Sequence, residues 1–161
     1  MTFKLIIDPK TEKTMLDLAR MPQEIKRGIR RGAYLSGKKL VREVRDRIND
    51  KPKSGRTYTI YKGIGGKVLR RPRKHVASAA GEAPAVITGF LRKSVDFKVR
   101  GDKRLEFGAG NDRVKYARIL EVGGSTGRSR IEPRLYLLNA TKKLGNNIKV
   151  ILEREVTKLI K

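Results

Sequence analysis

The chain has 161 residues, of which 40 are Lys or Arg and 16 are Asp or Glu, so its formal net charge at pH 7 is +24. Leu, Ile, Val and Phe make up about 27% of the residues, above the roughly 20% below which highly charged chains stay unfolded. The chain contains no cysteine, which excludes a disulfide framework, a thiolate metal site and a cysteine nucleophile.

The positive charge is concentrated in one segment. Residues 51–80 carry nine basic and no acidic side chains. Such a segment repels itself in compact packing, so it either forms a solvated loop or lies against a negative partner surface. No apolar run approaches the roughly 18 residues of a membrane span. We therefore expect a soluble, intracellular, single domain over 1–161, with an acidic or polyanionic partner and no membrane contact.

The first part of the chain contains one long helical pattern. Two shorter patterns precede it, a strand over Phe3–Ile7 and a helix over Thr11–Ala19. From Pro22 to Asn49, apolar residues recur every three or four positions, which predicts a long amphipathic helix. Glycines within this helix indicate close approach of another backbone; they are Gly28, Gly32 and Gly37.

A basic hairpin follows the long helix. Gly55–Ile64 alternates as a β-strand, Gly63–Gly66 turns the chain, and Lys67–Arg71 runs back. Ala77–Ala85 is a linker of small residues. We expect residues 51–85 to form a flexible basic hairpin and linker, which becomes ordered on a partner.

The second part predicts a short hairpin and two helices. Ser94–Arg100 and Arg104–Ala109 are β-type runs on either side of a Gly-Asp turn, and Val114–Val122 is helix-like. Pro133 opens a second long amphipathic helix that continues to Ile160. The predicted fold is α+β, with two long amphipathic helices packed on a small antiparallel β-sheet and an extended basic β-hairpin.

Three features that resemble catalytic or ligand-binding motifs have simpler interpretations. His75 has no second His, Cys or carboxylate cluster beside it, so we interpret it as a loop contact. The run Gly63–Lys67 lacks the frame of a phosphate-binding loop and is interpreted as a hairpin turn. Glu153 and Glu155 point in different directions on a helix and are interpreted as surface charges. We expect no catalytic, cofactor-binding or metal-binding residue and no enzymatic activity.

The basic segment also contains aromatic side chains, Tyr58 and Tyr61, as surfaces that follow a nucleic-acid backbone do. No zinc-finger spacing, aromatic RNA-recognition string or helix-turn-helix is visible. Two hypotheses therefore stand for this segment: contact with an acidic protein surface, or non-specific contact with DNA or RNA. The candidate contact residues are Arg56, Lys62, Lys67, Arg70, Arg71, Arg73 and Lys74.

Three sequence blocks stand out beside these patterns. Residues 75–94 read HVASAAGEAPAVITGFLRKS, residues 116–124 read YARILEVGG, and residues 131–140 read IEPRLYLLNA. In this order, with a long helix on either side, they resemble the tail-completion or head–tail joining family of tailed bacteriophages, whose members are often described as minor tail proteins. The family patterns are Gly-Glu-x-Pro-Ala with Thr-Gly-x-Leu-Arg-x-Ser, then Tyr-Ala-x-x-x-Glu-x-Gly, then Arg-Pro-Phe-Leu-x-Pro-Ala. The resemblance covers roughly residues 22–161.

The motif residues have structural interpretations. Thr88 caps a turn, Gly89 takes a positive φ that redirects the chain, and Leu91 anchors in the core. Tyr116 packs inward, and Glu121, a lone carboxylate beside many cations, is interpreted as a salt-bridge partner rather than a catalyst. The motif residues with expected structural roles are Thr88, Gly89, Leu91, Ser94, Tyr116, Ala117, Glu121, Gly123 and Pro133.

The resemblance implies a non-enzymatic virion protein that completes the phage tail or joins it to the head. It implies a ring of identical subunits around the DNA channel, with the connector on one side and the tail terminator or tube on the other. We expect the protein in the tail or neck of the virion, and in the host cytoplasm during assembly, without a cofactor. The alternative is a free-standing, non-specific nucleic-acid-binding protein that uses residues 51–80.

Overall fold

The computed structural model describes residues 22–50, 52–62, 68–101, 104–125, 127 and 130–160, with the backbone alone at 62, 68–70 and 160. The strand expected over Phe3–Ile7 and the helix expected over Thr11–Ala19 lie outside these residues. In chain order the elements are α1 (Gln23–Asn49), β1 (Thr57–Lys62), β2 (Val68–Val76), α2 (Phe90–Ser94), β3 (Asp96–Arg100), β4 (Arg104–Gly108), α3 (Ala117–Val122), β5 (Gly124–Ser125), β6 (Arg130–Ile131) and α4 (Tyr136–Ile160).

The long helices α1 and α4 pack against each other in antiparallel directions. A Cβ atom added at Gly28 would lie 2.9 Å from the carbonyl oxygen of Glu155, and Gly32 meets α4 in the same way one turn later. The close backbone approach predicted from these two glycines is confirmed. Gly37 instead makes room for the ring of Phe97 on β3, which is a side chain rather than a backbone.

The core lies between the two long helices and the β3–β4 hairpin. Leu40 and Val44 of α1 and Ala140 of α4 are fully buried, and Phe107 of β4 is 3% exposed. Among the side chains that the structure describes, none in the hairpin β1–β2 belongs to this core. The apolar side chains of this cluster are Leu40, Val41, Val44, Ile48, Leu91, Val95, Leu105, Phe107, Ala109, Val114, Ala117, Tyr136, Leu137, Ala140, Leu144 and Ile148.

The strands pair as three antiparallel hairpins, β1–β2, β3–β4 and β5–β6, each of which is a two-stranded sheet. The α+β class predicted from the sequence is confirmed. The long helix α1 packs on β3 and β4, whereas β1 and β2 are hydrogen-bonded to each other in a sheet of their own. The basic hairpin is therefore an attachment to the helical body and contributes no strand to the sheet beneath α1.

The second long helix begins at Tyr136, three residues later than predicted from Pro133. The backbone N–H groups of Arg134 and Leu135 donate to the carbonyl oxygens of Leu120 and Glu121, at 2.9 and 3.2 Å. Leu135 has a φ of 47°, outside the helical region. Pairing with the end of α3 therefore holds this segment out of the helix.

Glu155 was interpreted from the sequence as a surface charge, and this is wrong. Its side chain is 2% exposed at the α1–α4 interface, where its carboxylate lies 3.1 Å from Nε of Arg31 and 3.0 Å from Nζ of Lys158. The hydrogen bond from Lys158 lowers the pKa of Glu155, and desolvation by burial opposes this. Glu155 follows the buried Ile148 by seven residues, two helical turns, so helical geometry places it on the buried face of α4.

Candidate functional site

The β1–β2 hairpin presents a basic and aromatic surface. Its ladder pairs Thr57 with Val76 and Tyr58 with His75, and the register shifts between Ile60 and Lys62. Tyr58 is 50% exposed, and the guanidinium of Arg56 lies 5.9 Å from the centre of its ring. Because cross-strand partners share a face and successive side chains alternate faces, Arg73, the partner of Ile60, lies on the face of the Tyr58 ring, whereas Lys74, the partner of Thr59, lies on the other face.

Four of the seven predicted contact residues have exposed side chains. Arg56, Arg71, Arg73 and Lys74 are exposed. For Lys62 and Arg70 the backbone alone is described, on β1 and β2, and Lys67 lies outside the described residues. The expectation that His75 lies in a loop is wrong, because it belongs to β2 opposite Tyr58. The second strand continues to Val76, five residues past the predicted Arg71.

The base of the hairpin is fastened to the linker that follows it. The N–H of Gly55 donates to the carbonyl oxygen of Ala77, at 3.0 Å. The carboxylate of Glu82 accepts a hydrogen bond of 2.6 Å from the hydroxyl of Ser54 and another of 2.9 Å from the N–H of Ala79. The Ser54 hydroxyl and the backbone N–H groups of Ala79 and Ser54 lower the pKa of Glu82. A carboxylate from the first sequence block thus ties the start of the hairpin to its end.

The Thr-Gly turn of the first block has the predicted conformation. Gly89 has a φ of 76°, which is left-handed and favours glycine, and the Thr88 hydroxyl accepts a long hydrogen bond of 3.5 Å from the N–H of Phe90. Leu91 is buried. The hydroxyl of Ser94 donates to the carbonyl of Leu91, at 2.8 Å, and accepts from the N–H of Gly110, at 3.1 Å. At this block the chain changes direction and passes from the linker into the core.

Glu121 caps a helix and forms no salt bridge with the residues that the structure describes, which corrects the sequence interpretation. Its carboxylate, on a residue 3% exposed, accepts hydrogen bonds of 3.0 Å from the backbone N–H groups of Leu137 and Leu138. N–H groups in the first turn of a helix have no acceptor within the helix, and the helix dipole favours a negative charge beside them. Burial, together with the Glu121 charge, raises the pKa of Tyr136 above its ordinary range.

Two further predictions for the second block have different outcomes. Gly123 ends α3 with a φ of 75°, as predicted, and a Cβ atom there would lie 2.8 Å from the carbonyl oxygen of Ile131. Tyr116 does not pack inward: it is 43% exposed at the N-terminus of α3. Ala117, the next residue, takes the buried position instead, and its carbonyl accepts a hydrogen bond of 3.3 Å from the Tyr136 hydroxyl.

The three sequence blocks form one connected unit. The N–H of Gly81 in the first block donates to the carbonyl of Pro133 in the third, at 3.2 Å. Glu121 and Ala117 join the second block to the first turn of α4, as described above. The hairpin, the linker and the start of α4 are thus tied together by bonds between residues far apart in sequence.

Sequence reasoning missed a cleft of about 550 Å³ beside this unit. Ile87, Phe90 and Tyr116 line it and are 37–63% exposed. Arg134 also lines it, and the enclosed Nε and Nη1 atoms of its guanidinium have no hydrogen-bond partner among the residues described. We call this the Arg134 cleft. No periodicity marks it, because its lining residues come from separate segments of the chain.

Within the described residues, no group of three or more His, Cys, Asp or Glu side chains is placed to hold a metal ion. None of the helices in the described part combines the length and apolar character needed to cross a membrane. No protein-family model, curated protein or solved structure matches the chain.

Proposed function

We propose that the protein is a structural, non-catalytic component of a tailed-phage particle that completes the tail or joins it to the head. The observation that carries the proposal is the union of the three motif blocks in one hydrogen-bonded unit, through Glu121, Ala117 and Gly81. Residues that resemble a family pattern in sequence thus serve one structural purpose, which is to fix the hairpin and its linker on the helical body. This favours an assembly role for them over a catalytic one.

The hairpin is the surface with which the protein contacts its neighbours in the particle. Its cations Arg56, Arg71, Arg73 and Lys74 are exposed, and Tyr61 is 61% exposed. None of the hairpin side chains that the structure describes belongs to the core, which favours a hairpin that rearranges against a partner without disturbing the fold. An acidic surface of the connector or of the tail terminator is the partner that this charge fits.

The experiment is a nonsense mutation in the gene, within the genome that carries it. We expect electron microscopy to show filled heads and separate tails, and mass spectrometry to find the protein in purified wild-type virions. Purified protein added to the mutant extract should restore joined particles. Normal particles from the mutant, or a gene that lies apart from portal, capsid and tail genes, would contradict the proposal.

The exposed cations beside Tyr58 and Tyr61 also favour the second candidate function, non-specific nucleic-acid binding. This function predicts an affinity for DNA that falls with salt, with a slope of about −0.9 for each phosphate neutralised. Replacing Arg71, Arg73 and Lys74 by Gln should then reduce the slope.

The matched control removes three exposed cations of α1, Arg27, Arg30 and Arg42. An equal loss in both triple variants would mean that net charge alone attracts DNA. Absence of any DNA affinity at low salt would exclude the second function.

A further inference from the structure

The Arg134 cleft combines an apolar rim with a cationic interior. Its rim consists of Val86, Ile87, Phe90 and Tyr116, each at least 37% exposed. Buried core residues such as Leu91 form part of its wall. Four large apolar side chains exposed around one cleft are typical of a protein-interaction surface.

The guanidinium of Arg134 lacks a counterion within the described part of the chain. Its Nε and Nη1 are enclosed and form no hydrogen bond. Burying a guanidinium without a partner is unfavourable, and such donors normally pair with a carboxylate or carbonyl. A carboxylate in the cleft would supply the partner that these two nitrogens lack among the described residues.

The charges around the cleft favour an acidic occupant. Its lining, as far as the described residues form it, includes His75, Arg92 and Arg134 and contains no Asp or Glu. Arg92 is already engaged, because its Nη1 donates to the Oδ1 of Asn49 at 2.9 Å. A second copy of this chain, with a net charge of +24, fits the cleft less well than an acidic protein does. The exposed rim also suits an extended segment, because small-molecule sites bury most of their ligand.

We propose that the Arg134 cleft binds an extended segment of an acidic partner protein in which an Asp or Glu side chain lies next to a large apolar side chain. The carboxylate pairs with the Arg134 guanidinium, and the apolar side chain packs on Ile87 and Phe90. This interaction does not depend on the proposed function, since any acidic partner with such a segment satisfies it.

The test uses the full chain labelled with ¹⁵N and three blocked synthetic peptides at millimolar concentration, with Leu-Asp-Leu, Leu-Asn-Leu and Gly-Asp-Gly at their centres. We expect the Leu-Asp-Leu peptide to shift the backbone signals of Thr88–Phe90 and the Nε–Hε signal of Arg134, with saturation. The other two peptides should bind about tenfold more weakly, because each lacks one of the two contacts.

Two variants and a control make the test specific. Arg134→Gln should abolish the preference for Asp over Asn, and Ile87→Ser, at a position 63% exposed, should weaken binding without affecting the fold. Arg118→Gln removes an exposed cation outside the cleft and should leave binding unchanged. Equal binding of the Asp and Asn peptides would overturn the proposal. So would shifts confined to the hairpin, or chemical shifts at the cleft that depend only on protein concentration.

Discussion

At the scale of single residues, Gly28 shows how the helix pair depends on the absence of a side chain. A Cβ atom there would lie 2.9 Å from the carbonyl oxygen of Glu155 and 3.0 Å from the Cα of Val156. Since both are backbone atoms, the helices must move apart to accept it. We expect Gly28→Ala to lower the free energy of unfolding by about 1–2 kcal/mol, despite the better helix propensity of Ala.

Gly145 provides the matched control for this substitution, because a Cβ atom added to it meets no atom within 4 Å. Gly145→Ala should raise the free energy of unfolding by about 0.5–1 kcal/mol through helix propensity alone. Both values come from urea denaturation followed by circular dichroism. Stabilisation by both substitutions would show that the two helices are not in close contact at Gly28.

Glu121 makes the strongest cap that the structure describes for α4. We expect Glu121→Ala to lower the free energy of unfolding by about 2–3 kcal/mol, because it leaves the N–H groups of Leu137 and Leu138 without their acceptor. Glu121→Gln should cost about half as much, since its single amide oxygen still accepts a hydrogen bond. Glu132→Gln, at an exposed glutamate nearby, is the control and should change stability by less than about 0.5 kcal/mol.

Glu43 links the two long helices and makes stability depend on pH. It lies 2.8 Å from Nζ of Lys143 on α4 and 2.8 Å from Nε of Arg47 on α1. The hydrogen bond from Lys143 lowers the pKa of Glu43, against the opposing effect of burial. Because the pKa of Glu43 is lower in the folded than in the unfolded chain, its ion pairs stabilise the fold fully at pH values above 4.5, the ordinary pKa of a glutamate. This stabilisation is lost as the pH falls below that value.

We therefore expect Glu43→Gln to lower the free energy of unfolding by about 0.5–1 kcal/mol at pH 7. At pH 3 the difference from the wild type should shrink, because the wild-type carboxyl is then becoming protonated. Lys143→Gln should reproduce both results, and the measurement is chemical denaturation at the two pH values. A difference that grew on acidification would contradict this sign.

The roles of some of these residues could be predicted from the sequence and those of others could not, for a physical reason. The glycines of α1 were found because a helix face is a local, periodic property, and a missing side chain on it indicates a close neighbour. The role of Glu121 was missed because it depends on where α4 begins, more than ten residues later. The two Arg134 nitrogens without a hydrogen bond in the described part of the chain were missed for the same reason, since residues distant in sequence surround them.

At the scale of elements, patterns with a clear period were predicted well. The alternation after Gly55 predicted the basic hairpin, and the spacing of Leu40, Val44 and Ile48 predicted the buried face of α1. The start of α4 was misplaced because Pro133 is favourable at the first helical position. Propensity did not decide the outcome there, because the end of α3 binds the N–H groups that follow Pro133.

The hairpin should be dispensable for folding. Removing residues 56–74 joins Gly55 to His75. Only His75 and Val76 then lie between Gly55 and Ala77, which are already hydrogen-bonded to each other through the N–H of Gly55 and the carbonyl of Ala77. The described side chains within 56–74 include none of the core cluster. We expect the helical circular dichroism and the melting temperature to stay close to those of the full chain. Loss of cooperative unfolding would show that the hairpin belongs to the core.

At the scale of the whole molecule, charge and packing are divided between different parts of the chain. The core comes from the long helices, α2, the β3–β4 hairpin, α3 and the segments between them, whereas residues 51–80 hold nine cations and no acid. The positive charge thus lies on the hairpin, outside the described core. The hydrogen bond between Ser54 and Glu82 holds the base of the hairpin in place. This division is what an assembly protein needs if its body is to keep one shape while its arm meets a partner.

The central claim is that the basic hairpin joins this protein to its partners while the helical body folds without it. Its most direct test is the joining of filled heads to tails in the nonsense-mutant extract, with the full chain or the chain lacking residues 56–74 added. We predict that the full chain restores joined particles and that the folded deletion variant does not. Joining by the deletion variant at the level of the full chain would contradict the claim.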